Sequence, residues 1–220
     1  MKPIVSVIMP AFMHGAFISQ AIRSVLGQTL RDWELIIVND GSSDDTEIIV
    51  EPYTRDQRIR YFYQDNCGPA AARNFAVSKA RGELIAYLDA DDLYLKNHLA
   101  VRLARLEKSR SDFVFGPVKV VKNGSSAVYH GELADTETGC VLPLMVMHKR
   151  ICFGAGIFDK RDLFEEDLNL FLKIGASYRA EQFSSPVTAI YNKHTNSIST
   201  LYESGGAELV LQYMTNHKRS

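Results

Sequence analysis

Short apolar runs alternate with segments of helical spacing along the first half of the chain, and this alternation limits the fold more than any other feature. Four apolar runs are predicted to be strands, namely Ile4–Met9, Glu34–Asn39, Ile59–Gln64 and Glu83–Leu88, and the first of them, rich in β-branched residues, is predicted to be buried. The segments between and after them are predicted to be helices, namely Phe17–Leu26, Thr46–Tyr53, Pro69–Arg81 and Lys96–Lys108. Strands that alternate with helices form βαβ units, so this half predicts an α/β fold with a parallel sheet covered on both faces.

The second half follows a different pattern. Phe113–Val121 and Ala127–His130 are predicted to form a hairpin, because the Asn-Gly pair between them suits a tight turn. Asp162–Gly175 is predicted to be a helix and Val187–Tyr191 a strand. The chain has 220 residues and shows neither a repeat nor a linker, so both halves are expected to belong to a single domain.

Charge and cysteine content exclude several classes of protein. The chain has 25 Lys and Arg against 26 Asp and Glu, a balance that gives no indication of nucleic-acid binding or of a polybasic membrane surface. Three scattered cysteines, Cys67, Cys140 and Cys152, are too few for a disulfide framework and favour a reducing compartment such as the cytoplasm. The uncharged stretch Pro3–Ile22 contains polar residues and is predicted to be neither a signal peptide nor a membrane anchor.

Acidic residues follow three of the four predicted strands of the first half. Asp40 follows the second strand, Asp65 the third, and Asp89, Asp91 and Asp92 the fourth. Because parallel strands end at one edge of a sheet, these carboxylates should share a cleft there. Clustered carboxylates repel each other unless a cation neutralises them, and their oxygen ligands suit magnesium or manganese. Such an ion completes its shell with water and substrate phosphate, so a nucleotide diphosphate is the natural ligand. The alternative for Asp-x-Asp-Asp is a capped turn into a helix.

Five segments of the first half, in order, match a known pattern. They are Ser6–Phe12, Ser24–Thr29, Trp33–Asp44, Asn66–Asn74 and Ala80–Asp92. With these segments the chain resembles glycosyltransferase family 2. The resemblance implies a single-domain A-type glycosyltransferase fold, which is a Rossmann-like, mostly parallel sheet. It also implies a nucleotide-sugar-binding half, residues 1–111, and an acceptor-side half, residues 112–220.

The resemblance implies roles for residues of the first half. Asp40 would face the nucleotide base, and a carboxylate that accepts a charge-assisted hydrogen bond from an imide N–H favours uracil or thymine. Arg73 would lie near the base, and the segment Pro10, Ala11 and Phe12 would line the base and the ribose. Asp91 would bind the divalent cation, manganese or magnesium. Asp89 would hold the ribose or contact the metal.

The second half matches the family less closely. Glu166–Lys173 resembles the segment that carries the catalytic base, which assigns the base to Asp167. Tyr191–Ser199 resembles the end of the domain, where His194 would complete the metal shell or contact the diphosphate. The other histidines have no comparable context. The stretch between Phe158 and Glu165 lacks the Gly-Gly-Phe-Asp segment of the family.

The predicted function is an inverting transfer of a sugar from a UDP-sugar to an acceptor hydroxyl in polysaccharide or glycolipid synthesis. The acceptor would be a saccharide or a lipid-linked saccharide, reached from the cytoplasm at the inner face of the membrane without an anchor of the chain's own. A non-catalytic nucleotide-sugar binding domain with a degenerate acceptor site is the alternative. A metal-dependent phosphatase is a second alternative, which the sequence disfavours because its nucleophilic Asp would follow the first strand, where this chain has Pro10-Ala11-Phe12.

Overall fold

A computed structural model describes residues 2–122, 124–130, 145–154, 158, 166–195 and 200. Its strands are β1 (Val5–Ala11), β2 (Trp33–Asp40), β3 (Ile59–Gln64), β4 (Leu84–Tyr87), β5 (Leu93–Tyr94), β6 (Phe113–Phe115), β7 (Val118–Lys122), β8 (Ser125–Tyr129), β9 (Met145–His148), β10 (Ala180–Gln182) and β11 (Ala189–Lys193). Its helices are α1 (Ile18–Leu26), α2 (Thr46–Val50), α3 (Pro69–Lys79), α4 (His98–Ser109), α5 (Lys149–Gly154) and α6 (Glu166–Ser177). A 3-10 helix, Glu51–Arg55, continues α2.

The main sheet has seven strands in the order β10-β6-β9-β4-β1-β2-β3. Its pairs β1–β2, β1–β4, β2–β3 and β6–β10 are parallel, and β9 runs antiparallel to both β4 and β6. Every residue of β1 and β2 is buried, as expected for central strands that are covered on both faces. The predicted α/β fold with a mostly parallel sheet is therefore confirmed.

The helices of the first half follow the predicted periodicity. In α1 the buried positions are Ile18, Ala21, Ile22 and Val25, which is the spacing of one helix face. The helix α3 begins at Pro69, as predicted, and ends two residues earlier than expected, because Ala80 is extended. The α-helical part of the predicted helix Thr46–Tyr53 ends at Val50, and a 3-10 turn that contains Pro52 follows it.

A second sheet, in the order β5-β11-β7-β8, lies outside the main one. The strands β5 and β11 pair antiparallel, with Tyr94 opposite Ala189 and Leu93 opposite Ile190. Because the two strands are antiparallel, the residues that follow Ile190 lie beside the residues that precede Leu93. The pairing therefore places the end of β11 beside the acidic residues that follow β4.

The predicted single strand Phe113–Val121 is wrong. It is divided into β6 and β7, which belong to different sheets, and only β7 forms a hairpin with β8. The chain breaks at Gly116, where a Cβ would lie 2.2 Å from the ring of Phe183, and at Pro117, which has no N–H for a ladder. Residues 159–165, which include the short segment before Glu165, lie outside the described residues.

No helix among the described residues is both long and apolar enough to cross a bilayer. The uncharged stretch at the start of the chain forms β1 and the first part of α1. Its apolar character thus reflects burial in the sheet and against it.

Candidate active site

The C-terminal ends of β1, β2 and β4 meet at one edge of the main sheet. In the parallel register Ala11 lies opposite Asn39, and Ile8 lies opposite Tyr87. The residues that follow these strands, from Phe12, Gly41 and Leu88 onward, therefore leave the sheet side by side. The expected shared edge is present.

Asp40 is fixed at the end of β2 by donors from the segment after β3. Its Oδ1 accepts hydrogen bonds from Gln64 Nε2 at 2.6 Å and from the N–H of Cys67 at 3.0 Å. Its Oδ2 accepts one from the N–H of Gly68 at 2.8 Å. Gly68 has a φ of 88°, a backbone conformation that favours glycine, and it leads into α3. Asp40 is 3% exposed, and the hydrogen bonds from Gln64, Cys67 and Gly68 set the orientation of its carboxylate.

Arg73 and Asp89, which the sequence assigned separately, form an ion pair. Arg73 lies on α3 and is 6% exposed, and its Nη2 donates to Asp89 Oδ1 at 2.8 Å. The guanidinium also lies 5.5 Å from the ring centre of Phe158. The pair ties α3 to the segment after β4 and neutralises one of the clustered carboxylates.

Asp91 lies between two histidines. His194 Nε2 is 3.0 Å from Asp91 Oδ2, and His14 Nε2 is 3.7 Å from the same oxygen. Burial by itself raises the pKa of Asp91, but the two imidazoles lower it by more, so the carboxyl has a pKa well below its ordinary value. Asp91 is therefore ionised at neutral pH.

His194 reaches Asp91 through the pairing of β5 with β11. Asn192 donates its backbone N–H to Asp92 Oδ1 at 2.9 Å and its Nδ2 to the backbone oxygen of Asp91 at 2.7 Å. The ring of His194 stacks on Phe17, with the ring centres 4.4 Å apart. His194 thus lies where the sequence placed it, beside the proposed metal ligand.

Asp92 differs from its neighbour in burial and in charge. It is fully buried, and its Oδ2 has no hydrogen-bond partner in the described part of the chain. Burial, and then the charges of Asp91 and Asp89, raise the pKa of Asp92 well above its ordinary value. Asp92 is thus a buried structural residue, which leaves Asp91 and the Arg73-paired Asp89 as the more exposed carboxylates of the motif.

Sequence reasoning missed His14. Its Nδ1 accepts a hydrogen bond from the N–H of Phe12 at 3.1 Å, which turns the ring towards Asp91. Burial lowers the pKa of His14, but Asp91 and the charges of Asp89 and Asp44 outweigh it and raise the pKa above its ordinary value. The residue has no motif around it, and only the folded chain brings it to the site.

The loop that carries His14 is fastened to the loop after β2. The N–H groups of Met13, His14 and Gly15 donate to Ser42 Oγ at 3.0 Å, Thr46 Oγ1 at 3.1 Å and Asp44 Oδ2 at 2.9 Å, respectively. Asp44 also accepts a hydrogen bond at 3.1 Å from the N–H of Thr46, the first residue of α2, while Asp45 occupies the N-cap position. The Gly-Ser-Ser-Asp segment thus positions the loop between β1 and α1.

The acidic edge suits a divalent cation that takes part of its coordination shell from the enzyme's substrate and from water. No cluster of three His, Cys, Asp or Glu side chains arranged to hold a metal occurs within the described ranges. Magnesium and manganese are usually held by one or two carboxylates and complete their shells with water and phosphate. One ionised carboxylate, Asp91, with the imidazole of His194 beside it fits such an ion. Asp89 is engaged by Arg73.

Asp167 lies in the first turn of α6, on a different element from the acidic edge. The helix is anchored by Phe171, which packs edge-on against Phe113 and Phe115 of β6 at 6.3 and 5.2 Å between ring centres. Asp167 is half-buried. Its assignment as the catalytic base stays a prediction.

The curated proteins that are similar in sequence to this chain include several glycosyltransferases. An uncharacterized glycosyltransferase of Rickettsia bellii is 41% identical over 165 residues, which are 74% of this chain and 24% of the relative. The Escherichia coli protein WfgD, a UDP-Glc:alpha-D-GlcNAc-diphosphoundecaprenol beta-1,3-glucosyltransferase, is 37% identical over 123 residues, 56% of this chain and 48% of WfgD. The chain spans between 20% and 48% of the length of four such curated relatives.

Solved structures share the fold. Staphylococcus aureus TarS 1–349 in complex with UDP-GlcNAc has a TM-score of 0.77 at 21% identity, covering 97% of this chain and 66% of that one. The mannosyltransferase PcManGT from Pyrobaculum calidifontis, in complex with GDP-Man and Mn²⁺, has a TM-score of 0.68 at 18% identity, covering 100% and 66%. The expected A-type glycosyltransferase fold is thus confirmed.

The family assignment comes from the sequence match itself. The family model described as Glycosyl transferase family 2 matches residues 6–177, which is more than half of the chain. Those residues include the edge formed by β1, β2 and β4 as well as α6. The chain therefore belongs to glycosyl transferase family 2.

Proposed function

We propose that the chain transfers a sugar from a UDP-sugar to an acceptor hydroxyl with inversion at the anomeric carbon. The observation that carries this proposal is the ionised Asp91 at the C-terminal edge of a family 2 sheet, 3.0 Å from His194. The UDP-GlcNAc bound by TarS and the UDP-Glc in the name of WfgD support a UDP-linked donor.

The donor nucleotide would bind beside Asp40. The carboxylate is held in one orientation by Gln64 and two backbone N–H groups, which suits it to accept a hydrogen bond from an imide N–H. Pro10 and Ala11 end β1 next to it and Phe12 follows the strand, and this segment would line the base and ribose. Arg73 would hold Asp89 in place and contribute its charge near the nucleotide.

The diphosphate would lie at Asp91. Asp91, with His194 and Asp89 as the other candidate ligands, would hold a magnesium or manganese ion, which would supply charge stabilisation for the departing diphosphate. Asp91 would supply the ionised oxygen for this ion, and the neighbouring Asp92 is buried, with a pKa raised well above its ordinary value.

Asp167 would act on the acceptor. The acceptor oxygen forms a bond to the anomeric carbon as the bond from that carbon to the diphosphate breaks, and Asp167 takes the proton of the attacking hydroxyl. The acceptor would be a saccharide, free or linked to a lipid. The diphosphoundecaprenol in the name of WfgD supports a lipid-linked acceptor at a membrane surface.

The base assignment is tested by Asp167→Asn. The variant keeps the side-chain size but cannot take a proton, so UDP binding should be unchanged while transfer falls by about a hundred- to ten-thousandfold. Glu166→Gln is the matched control, because consecutive helix positions point about 100° apart. Donor consumption and product formation are followed by chromatography for a panel of UDP-sugars.

Three results would count against this account. If Glu166→Gln stops transfer and Asp167→Asn does not, the base is Glu166. If neither variant changes transfer, the base lies elsewhere. If the parent chain binds UDP-sugars but never transfers or hydrolyses them, it is a binding domain and the proposed reaction is wrong.

A further inference from the structure

His14 presents a ring N–H at the cleft. Its Nε2 lies 3.7 Å from Asp91 Oδ2, which is longer than a hydrogen bond. Within the described ranges Asp91 Oδ2 is the acceptor that faces this atom, and the His14 side chain is 23% exposed. The imidazole therefore has one nitrogen directed to the part of the cleft where Asp91 lies.

A backbone hydrogen bond determines which nitrogen of the His14 ring carries the proton. The N–H of Phe12 donates to Nδ1 at 3.1 Å, so the lone pair of Nδ1 is used to accept this bond. A neutral imidazole has one donor and one acceptor nitrogen, so the proton of His14 lies on Nε2. That atom is a hydrogen-bond donor and has no lone pair for a metal ion. His14 is thus suited to an anionic oxygen rather than to the cation itself.

The loop is held in a strained conformation that produces this geometry. Met13 has a φ of 59°, a left-handed conformation that costs about 1 kcal/mol or more for a residue other than glycine. The N–H groups on Met13, His14 and Gly15 are each tied to a side chain of the loop after β2. Strain maintained by three such bonds is typical of a functional position.

We propose that His14 is a substrate-contacting residue, whose Nε2–H donates a hydrogen bond to a phosphate oxygen of the nucleotide diphosphate. The inference rests on the proposed function, because the diphosphate comes to this place through the cation at Asp91. A phosphate oxygen is the acceptor that such a cation brings next to a carboxylate, since the two anions would otherwise repel each other.

The test compares UDP with uridine. In calorimetric titrations with manganese, His14→Leu should lower UDP affinity about ten- to a hundredfold, the effect of losing a hydrogen bond to a charged group. Uridine affinity should stay the same, since uridine has no phosphate. His14→Gln, whose amide can donate from a similar reach, should recover part of the loss. His130→Leu, an exposed histidine in the second half of the chain, is the matched control.

A spectroscopic measurement tests the donor assignment independently. Long-range ¹H–¹⁵N correlation spectra of the full chain should show His14 protonated at Nε2, both alone and with UDP and manganese. Protonation at Nδ1 alone would overturn the proposal.

The remaining outcomes are also decisive. Equal UDP affinity in His14→Leu and the parent overturns the inference while the proposed function stands. Equal losses for UDP and uridine mean that His14 only supports the loop, and they overturn it too. A parent chain that does not bind UDP refutes both proposals.

Discussion

Replacing Asp44 tests whether its hydrogen bonds hold the loop that carries His14 against the segment after β2. Its Oδ2 accepts the N–H of Gly15 at 2.9 Å, and its Oδ1 accepts the N–H of Thr46 at 3.1 Å and the hydroxyl of Thr46 at 2.5 Å. Losing the two hydrogen bonds that Thr46 donates to Asp44 costs about 1 kcal/mol. Losing the hydrogen bond between the loops costs about 1.5 kcal/mol, because the acceptor is charged but only partly buried. Asp44→Ala should therefore lower the free energy of unfolding by about 2.5 kcal/mol.

Urea denaturation followed by circular dichroism measures this loss. Asp45→Ala is the matched control, because Asp45 is an exposed acid at the next position whose side chain makes no capping hydrogen bond to α2 in the described part of the chain. Asp44→Asn should be intermediate, since its amide can accept from Thr46 but places an NH₂ group against the N–H of Gly15. If Asp44→Ala is no less stable than Asp45→Ala, the bonds between the two loops do not fix the loop that carries His14.

Two further predictions concern the nucleotide and the pH. UDP and dTDP should bind about ten- to a hundredfold more tightly than GDP or ADP, because only the first two offer Asp40 an imide N–H, and equal affinities would contradict this. Glu34 accepts hydrogen bonds from Ser6 and Arg60 and from the N–H of Arg81, and these lower its pKa although burial raises it. Its contribution to stability is complete above the unfolded pKa near 4.5 and is lost as the pH falls through the lower folded value. The deficit of Glu34→Gln in urea denaturation should therefore be largest at neutral pH and shrink below pH 4.5, and a deficit independent of pH would be evidence against it.

The sheet edge could be predicted from the sequence because it depends on local signals. Burial makes the central strands β1, β2 and β4 mostly apolar, and clusters of polar residues follow where these strands end. Ile59–Gln64 was predicted with both ends correct, and Asp40 and Asp91 lie at the expected edge. The position of His194 followed from a motif rather than from periodicity.

The remaining features depend on contacts between distant parts of the chain. The break at Gly116 depends on the ring of Phe183, which lies where a side chain would be. The strand β9 has only four residues, and periodicity alone does not show whether so short a segment is a strand or a helix. His14 reaches Asp91 only because Met13 turns the backbone and Ser42 holds that turn. The spacing of residues along the sequence does not predict such long-range contacts.

The central claim is that the edge at Asp91 binds a divalent cation and UDP together. Isothermal titration of UDP into the parent chain and into Asp91→Asn, each with manganese and with EDTA, tests it most directly. The account predicts that the parent binds UDP more tightly with manganese, that this gain is absent in Asp91→Asn, and that Asp45→Asn behaves as the parent. A gain from manganese that is the same in Asp91→Asn and in the parent would contradict it.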